Sequence, residues 1–457
     1  MEIFLRFAGC SGFFLDSEKF TQSYYAPGPF GHHSRPSQAL LSAAYLTSIA
    51  FSGNAILTAH EPVFLSRALQ HASQAPSNAH PSSGKHGLQA EILIANYFFL
   101  RGYIPEGKSH VNTAMMISMV HRAHKIDRIS NLEGVEVIEQ WERVKGFWSA
   151  YLLDKFWSIA GGLPSSSPDG MTAETRIDAP WPLELQQFKN VGTCASRPFL
   201  PSRANPCLTL IRFAQIRLEQ EVHGYDTINR FLANPASSFA EEDVSKFSMA
   251  CKAVTLLERA HSLRLSLDTS GLAISALFNQ KYHSRTLFYL APDSETREDL
   301  KMKITAMRNA IHTFKDTITP LAFGANIQDP LVVIHATILL ASIRLDVSPT
   351  WSKHSVESAL SAVELINDTS FEYIGHVNPI LGFLLTAIGQ VLVDELTRFR
   401  RLSIKSKEDD EQEAKMKDAA DRFAVALRAC GAESPYICEL SVQNLAVTTP
   451  GSNLAHL

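Results

Sequence analysis

Residues 134–160 read GVEVIEQWERVKGFWSAYLLDKFWSIA, and this stretch decides the fold class. Val137, Trp141, Val144, Trp148 and Leu152 recur at spacings of 4, 3, 4 and 4, which places them on one face of a helix. Gly161, Gly162 and Pro164 follow, the order in which glycine just past a helix end and proline beyond it stop a helix. Burying each tryptophan of this helix contributes on the order of 2–3 kcal/mol. Asp154 is out of place by the same logic. A carboxylate in the last two turns faces the negative end of the helix dipole. It is expected to find a cation or backbone donors in the Pro-rich stretch that follows or on a neighbouring helix.

Outward from this helix the same period continues. Helices are expected at 37–51, 62–75, 88–100 and 107–124, with a polar Ser/Pro/Gly loop at 75–87. Residues 161–206 hold Pro164, Pro168, Pro180, Pro182, Pro198, Pro201 and Pro206, which interrupt regular structure. Helices are expected again at 207–232, 241–267, 294–319, 329–344, 352–367, 378–402 and 411–430. No alternating strand pattern and no fixed-period repeat is found. The expectation is an all-α fold, a large multi-helix array in two closely packed lobes. Residues 1–160 form an N-terminal lobe, 161–206 an irregular segment and 207–457 a C-terminal lobe.

Composition narrows the function classes. The chain has 457 residues, of which 45% are hydrophobic and 19% charged. Such a chain can bury enough surface to offset its ordering entropy. Net charge is −4, so no basic excess is available to neutralise a phosphate backbone. The six cysteines, Cys10, Cys194, Cys207, Cys251, Cys430 and Cys438, are too scattered for a disulfide framework and form no C-x-x-C pair. The apolar runs 379–393 and 331–343 fall short of the roughly 18 residues of a membrane span. No secretory leader is read in residues 1–20. A chain free in the cell interior is expected, with no membrane partner.

Catalytic and metal readings are weak. His121 and His124 stand three apart and His32 and His33 are adjacent, but neither pair comes with further ligands in pattern. Asp409-Asp410 lies in a charge run that reads as a solvated helix start. Asn367, Asp368, Ser370 and Glu372 do not have the spacing of a magnesium motif on one helical face. No phosphate-cradling glycine loop or nucleophile elbow is present. The chain is expected not to be an enzyme and to hold no cofactor. Residues 398–407, with Arg398, Arg400, Arg401, Lys405 and Lys407, are the densest basic patch. They read as a nuclear-import signal or as cations favouring a helix C-terminus.

The stretch 142–182 resembles the signature of the fungal-specific transcription factor domain, the middle homology region of binuclear zinc-cluster transcription factors. That family carries E-R-x-x-x-F-W-x-x-x-x-L-D-K/R-x-x-S, then G-x-P, then I-D-x-P-x-P. The match falls on Glu142, Arg143, Phe147, Trp148, Leu153, Asp154, Lys155, Ser158, Gly162, Pro164, Ile177, Asp178, Pro180 and Pro182. Residues 13–20, 39–49, 88–100, 106–126 and 378–396 resemble flanking segments of the same domain.

The resemblance implies a regulatory, nuclear, non-catalytic domain whose signature residues serve structure and regulation. It implies transcriptional co-regulators or a second copy of the chain as partners, and a possible small-molecule effector. Relatives precede this domain with a six-cysteine zinc cluster that reads DNA. Here the domain begins almost at Met1, so zinc and DNA contact would belong to a module outside this chain or to a partner. The competing reading is an all-α interaction scaffold or small-ligand-binding protein with no role at promoters.

Overall fold

The computed structural model describes residues 1–77, 80–125, 135–167, 172, 174–185, 226–238, 245–278, 297–346, 351–371, 377–401 and 406–431. The fold is all-α. The first of two compact units takes in Met1–Phe231 and Phe239–Cys251, and the second takes in Leu232–Ser238 and Lys252–Leu457.

In the first unit the helices are α1 (Glu2–Phe7), α2 (Ser17–Tyr24), α3 (Gln38–Ala50), α4 (Ala55–Thr58), α5 (Glu61–Gln74), α6 (Ser83–Leu100), α7 (Ile104–Val120) and α8 (Val135–Gly161). Helix α9 (Thr227–Ala233) begins in this unit, and its last two residues, Leu232 and Ala233, belong to the second. Helix α6 is the hub: from Gly87 to Leu100 nearly every side chain is buried, and α3, α5, α7 and α8 pack around it. A helix apolar on all sides belongs in the middle of a bundle. Local chemistry sets the helix starts. Asp16, Ser37 and Asn54 each accept a backbone N–H of the first turn, and prolines stand in the first turns of α5 and α7.

Helix α6 begins at Ser83, five residues before the expected start inside a polar loop. The extra turns are polar on their inner side. Lys85 reaches Glu142, and His86 accepts the Ser37 N–H at 3.2 Å. Buried polar contacts carry no hydrophobic period, so the pattern ended too soon. The short helices α1 and α2 escaped the sequence reading for a related reason, since six and eight residues are too few to establish a period.

Helix α10 (Lys246–Phe278) crosses the division after Cys251. The second unit adds α11 (Arg297–Lys315), α12 (Pro330–Arg344), α13 (Lys353–Asn367), α14 (Pro379–Arg400) and α15 (Lys407–Gly431). Helix α14 packs on α12, α13 and α15. It is 22 residues long and apolar enough to cross a membrane by composition, longer than its 379–393 apolar run suggested, and 61% of its apolar window is buried inside the fold. That burial marks a core helix. Ala325–Asn326 pairs in parallel with Thr369–Ser370. Two residues a side are too few to leave an alternation in the sequence. Of the helix expected at 207–232, only 226–232 falls within the described residues; most of the Pro-rich segment, with Cys194, Cys207 and Cys438, lies outside them.

Candidate functional site

The signature residues gather along helix α8 and tie it to three other stretches of chain. At the centre is Asp154, with 0% exposure. Its carboxylate pairs with Lys108 of α7. It also accepts the Ser165 hydroxyl at 2.6 Å, the Ser166 N–H at 3.0 Å and the Ser167 N–H at 2.9 Å. Burial alone would push this carboxyl's pKa up. The Lys108 charge and the bonds from Lys108, Ser165 and Ser166 together outweigh it and hold the pKa below the ordinary carboxylate value. The out-of-place carboxylate is thus the anchor of the turn that follows its own helix. Lys155 serves the same turn, its Nζ donating to Ser165 Oγ at 3.1 Å and lying over the Tyr151 ring.

Gly162 makes this return possible. Its φ of +60° is the left-handed conformation that closes a helix. The Leu163 N–H then bonds back to the Ser158 carbonyl at 2.9 Å, and the Ser158 hydroxyl donates to the Pro164 carbonyl at 3.2 Å. The chain leaves the helix end and doubles back onto Asp154 within five residues.

A second cluster holds an extended strap, residues 174–185, against α8. Trp148 is fully buried; its Nε1 donates to the Pro180 carbonyl at 2.6 Å and its ring stacks on Trp181 at 4.4 Å. Trp141 Nε1 donates to the Leu183 carbonyl at 2.8 Å, and Phe147 is buried against Trp148. Pro180 and Pro182 have no N–H to satisfy, so a strap lying on tryptophans leaves fewer orphan donors. Asp178 receives Lys125 Nζ at 3.0 Å and Arg176 Nε at 2.9 Å, while the Asp178 and Ala179 N–H groups both donate to the His124 carbonyl. The Thr227 hydroxyl donates to the Ala179 carbonyl at 2.7 Å, which brings α9 to the strap.

Glu142 and Arg143 fasten the other end. Glu142 accepts the Asp16 N–H at 2.9 Å and Lys85 Nζ at 2.5 Å, joining the N-terminal segment and α6 to α8. Arg143 Nη2 donates to the carbonyls of His121 at 3.3 Å and Arg122 at 2.7 Å, groups that the end of α7 would leave unpaired. Four essential partners were not singled out in the sequence: Lys85, Lys108, Gln89 and Asn96. Gln89 and Asn96 of α6 hold the backbone of Ser11, Gly12 and Phe14. Their trace in the sequence is a polar residue inside an otherwise apolar helical run.

The arrangement does positional work. Every signature carboxylate has a cation, and the Trp141 and Trp148 indoles and Arg143 donate to backbone carbonyls. His121 and His124 are not brought together as ligands: the His124 ring bonds the Glu174 carbonyl, and the His32 ring bonds Ser34. No group of three or more His, Cys, Asp or Glu side chains able to hold a metal ion occurs among the described residues. Asp409 accepts the Ser406 N–H and hydroxyl at the start of α15. In the basic patch, Arg398 pairs with Glu395 and Arg400 lies 3.9 Å from Glu413; residues 402–405 lie outside the described residues. No family model, curated protein or solved structure matches the chain.

Proposed function

We propose that this chain is a transcription-regulator domain of the fungal-specific, middle-homology type. It would receive a signal from a co-regulator, a second copy or a small effector and pass it to a DNA-bound module. The observation that carries the reading is the set of residues shared with that signature, from Glu142 to Pro182, used as one structural unit. The helix motif and the I-D-x-P-x-P motif meet through Trp148 and the Pro180 carbonyl, and the helix motif and the G-x-P turn meet through the Ser158 hydroxyl and the Pro164 carbonyl. Residues that recur together in a family are expected to contact one another, and the pairs Trp148–Pro180 and Ser158–Pro164 support the reading in that way. The proposed role is regulatory and nuclear, with no catalysis.

The test is a tethering assay. The full chain is fused to a heterologous sequence-specific DNA-binding domain and placed upstream of a reporter. The reading expects reporter output to rise or fall several-fold over the DNA-binding domain alone, and unchanged output in a fungal host would overturn it. The unfused chain, with its net charge of −4, is expected to show no sequence-selective shift of DNA duplexes at about 150 mM salt.

A further inference from the structure

Between Lys19 and Glu91 the sequence holds one carboxylate, Glu61. That one is committed inward. Arg101 takes both of its oxygens, at 2.9 and 2.6 Å, and the Tyr97 hydroxyl donates to one of them at 2.6 Å. The surface built by α4 and α5 therefore has no free carboxylate of its own. It does have an unpaired cation. Arg67 is exposed, and its guanidinium lies over the Phe64 ring, 5.2 Å from the centroid, with no carboxylate paired to it. Val63 and His71 stand one turn to either side of Arg67 on the same face of α5. This face, from Pro62 to His71, forms an open groove of about 500 Å³. Apolar side chains border it uncovered: Ile56 of α4 is 75% exposed, Val63 57% and Phe30 42%, and the Phe30 ring lies 5.8 Å from that of His71.

Single exposed apolar side chains are ordinary, but several of them around a cation with no counter-charge describe a complement. An apolar row with a guanidinium in its middle, and no acid to repel, fits a helix that carries apolar side chains along one stripe and Asp or Glu beside it. A nucleic acid fits poorly, because one arginine neutralises little phosphate and the apolar groups find no match there. A second copy of the chain fits poorly too. Its densest acidic run, Glu408–Glu413 at the start of α15, contains no apolar residue, so it offers charge without the stripe.

We propose that the outer face of α4 and α5 docks an acidic amphipathic helix of a partner protein. Ile56 and Val63 meet its apolar stripe, and Arg67 pairs with its carboxylates. The Phe64 ring already holds the guanidinium by a cation–π contact, which lowers the ordering cost of binding. The inference stands on this surface and does not rest on the regulatory reading. Its test involves no promoter, so either can fail alone.

Fluorescence anisotropy with the full chain tests it, using labelled synthetic peptides of about 16 residues, long enough to form a helix. The first carries a leucine stripe flanked by glutamates, the second the same stripe flanked by lysines, and the third the glutamates with alanine in place of leucine. The first should bind, and the other two at least about fivefold more weakly. Arg67→Glu should weaken the first peptide at least about fivefold, by losing an attraction and adding a repulsion, and should strengthen the second. That gain also shows that the variant is folded. Val63→Ser should weaken both leucine peptides. No binding of the first peptide below about 1 mM, equal binding of the first and second, or indifference to Arg67→Glu overturns the proposal. A dimer of the chain, seen by light scattering and dissolved by Val63→Ser, would give the face to a second copy and overturn it as well.

Discussion

The junction around Asp154 and the end of α12 around Arg344 treat buried charge in opposite ways. Asp154 has a lysine, a hydroxyl and two backbone N–H groups on one carboxylate. Arg344 and His261 each keep a buried nitrogen with no partner. A buried charge that serves the fold must be fully paired, because an unpaired one costs several kcal/mol. The contrast is between individual groups and not whole regions, since Arg143 Nε and His124 Nδ1 beside the same junction are also buried without a hydrogen-bond partner.

The comparison breaks most visibly if the junction proves dispensable. Trp148→Ala removes the ring that fills the space between α8 and the strap, together with the donor to Pro180, and is expected to destabilise the chain by about 3–5 kcal/mol in denaturant unfolding. A loss under about 1 kcal/mol, far below that range, would mean that the strap is held elsewhere.

Acid titration sharpens the comparison next. Burial lowers the His86 pKa to about 3, with His80 and Lys85 adding to the effect. The unfolded chain therefore takes up a proton near pH 6.5 that the folded chain refuses, and stability starts to fall as pH drops below that value. Asp154 acts lower down. Its folded pKa lies below the ordinary carboxylate value, so its stabilisation is intact above about pH 4 and is lost as pH falls further, through the folded pKa. Unfolding midpoints measured from pH 8 to pH 3 should show both limbs. Asp154→Asn should flatten the lower limb and leave the upper one.

Gly162→Ala is the smallest perturbation of the junction. Nothing lies within 4 Å of the added methyl group, so the cost is conformational alone, about 1–2 kcal/mol for an alanine held at φ +60°. A neutral result would show that the turn can close the helix in another conformation.

The sequence made the helices legible where an apolar period was long, as in α8, α12 and α14. It made Trp148 legible as core and Asp154 legible as a residue needing partners. Lys108 was invisible because it lies on another helix and because a lysine in a helix reads as solvent-facing until the fold buries it. The start of α6 was hidden by Lys85 and His86, whose burial is polar. The approach of Arg264 to Arg344 left no trace, since the two are 80 residues apart in sequence and meet only when α10 and α12 are in place.

The claim that the signature is an architectural junction rests most heavily on the contact between Lys108 and Asp154. A double-mutant cycle with Lys108→Met and Asp154→Leu, read by denaturant unfolding of the full chain, measures that contact directly. Each single substitution leaves a buried partner uncompensated and should cost about 3–5 kcal/mol. The double should cost less than the sum by about 2–3 kcal/mol, the upper range for residues in direct contact. A coupling under about 0.5 kcal/mol, the level of independent sites, would contradict the account and leave the signature without its anchor.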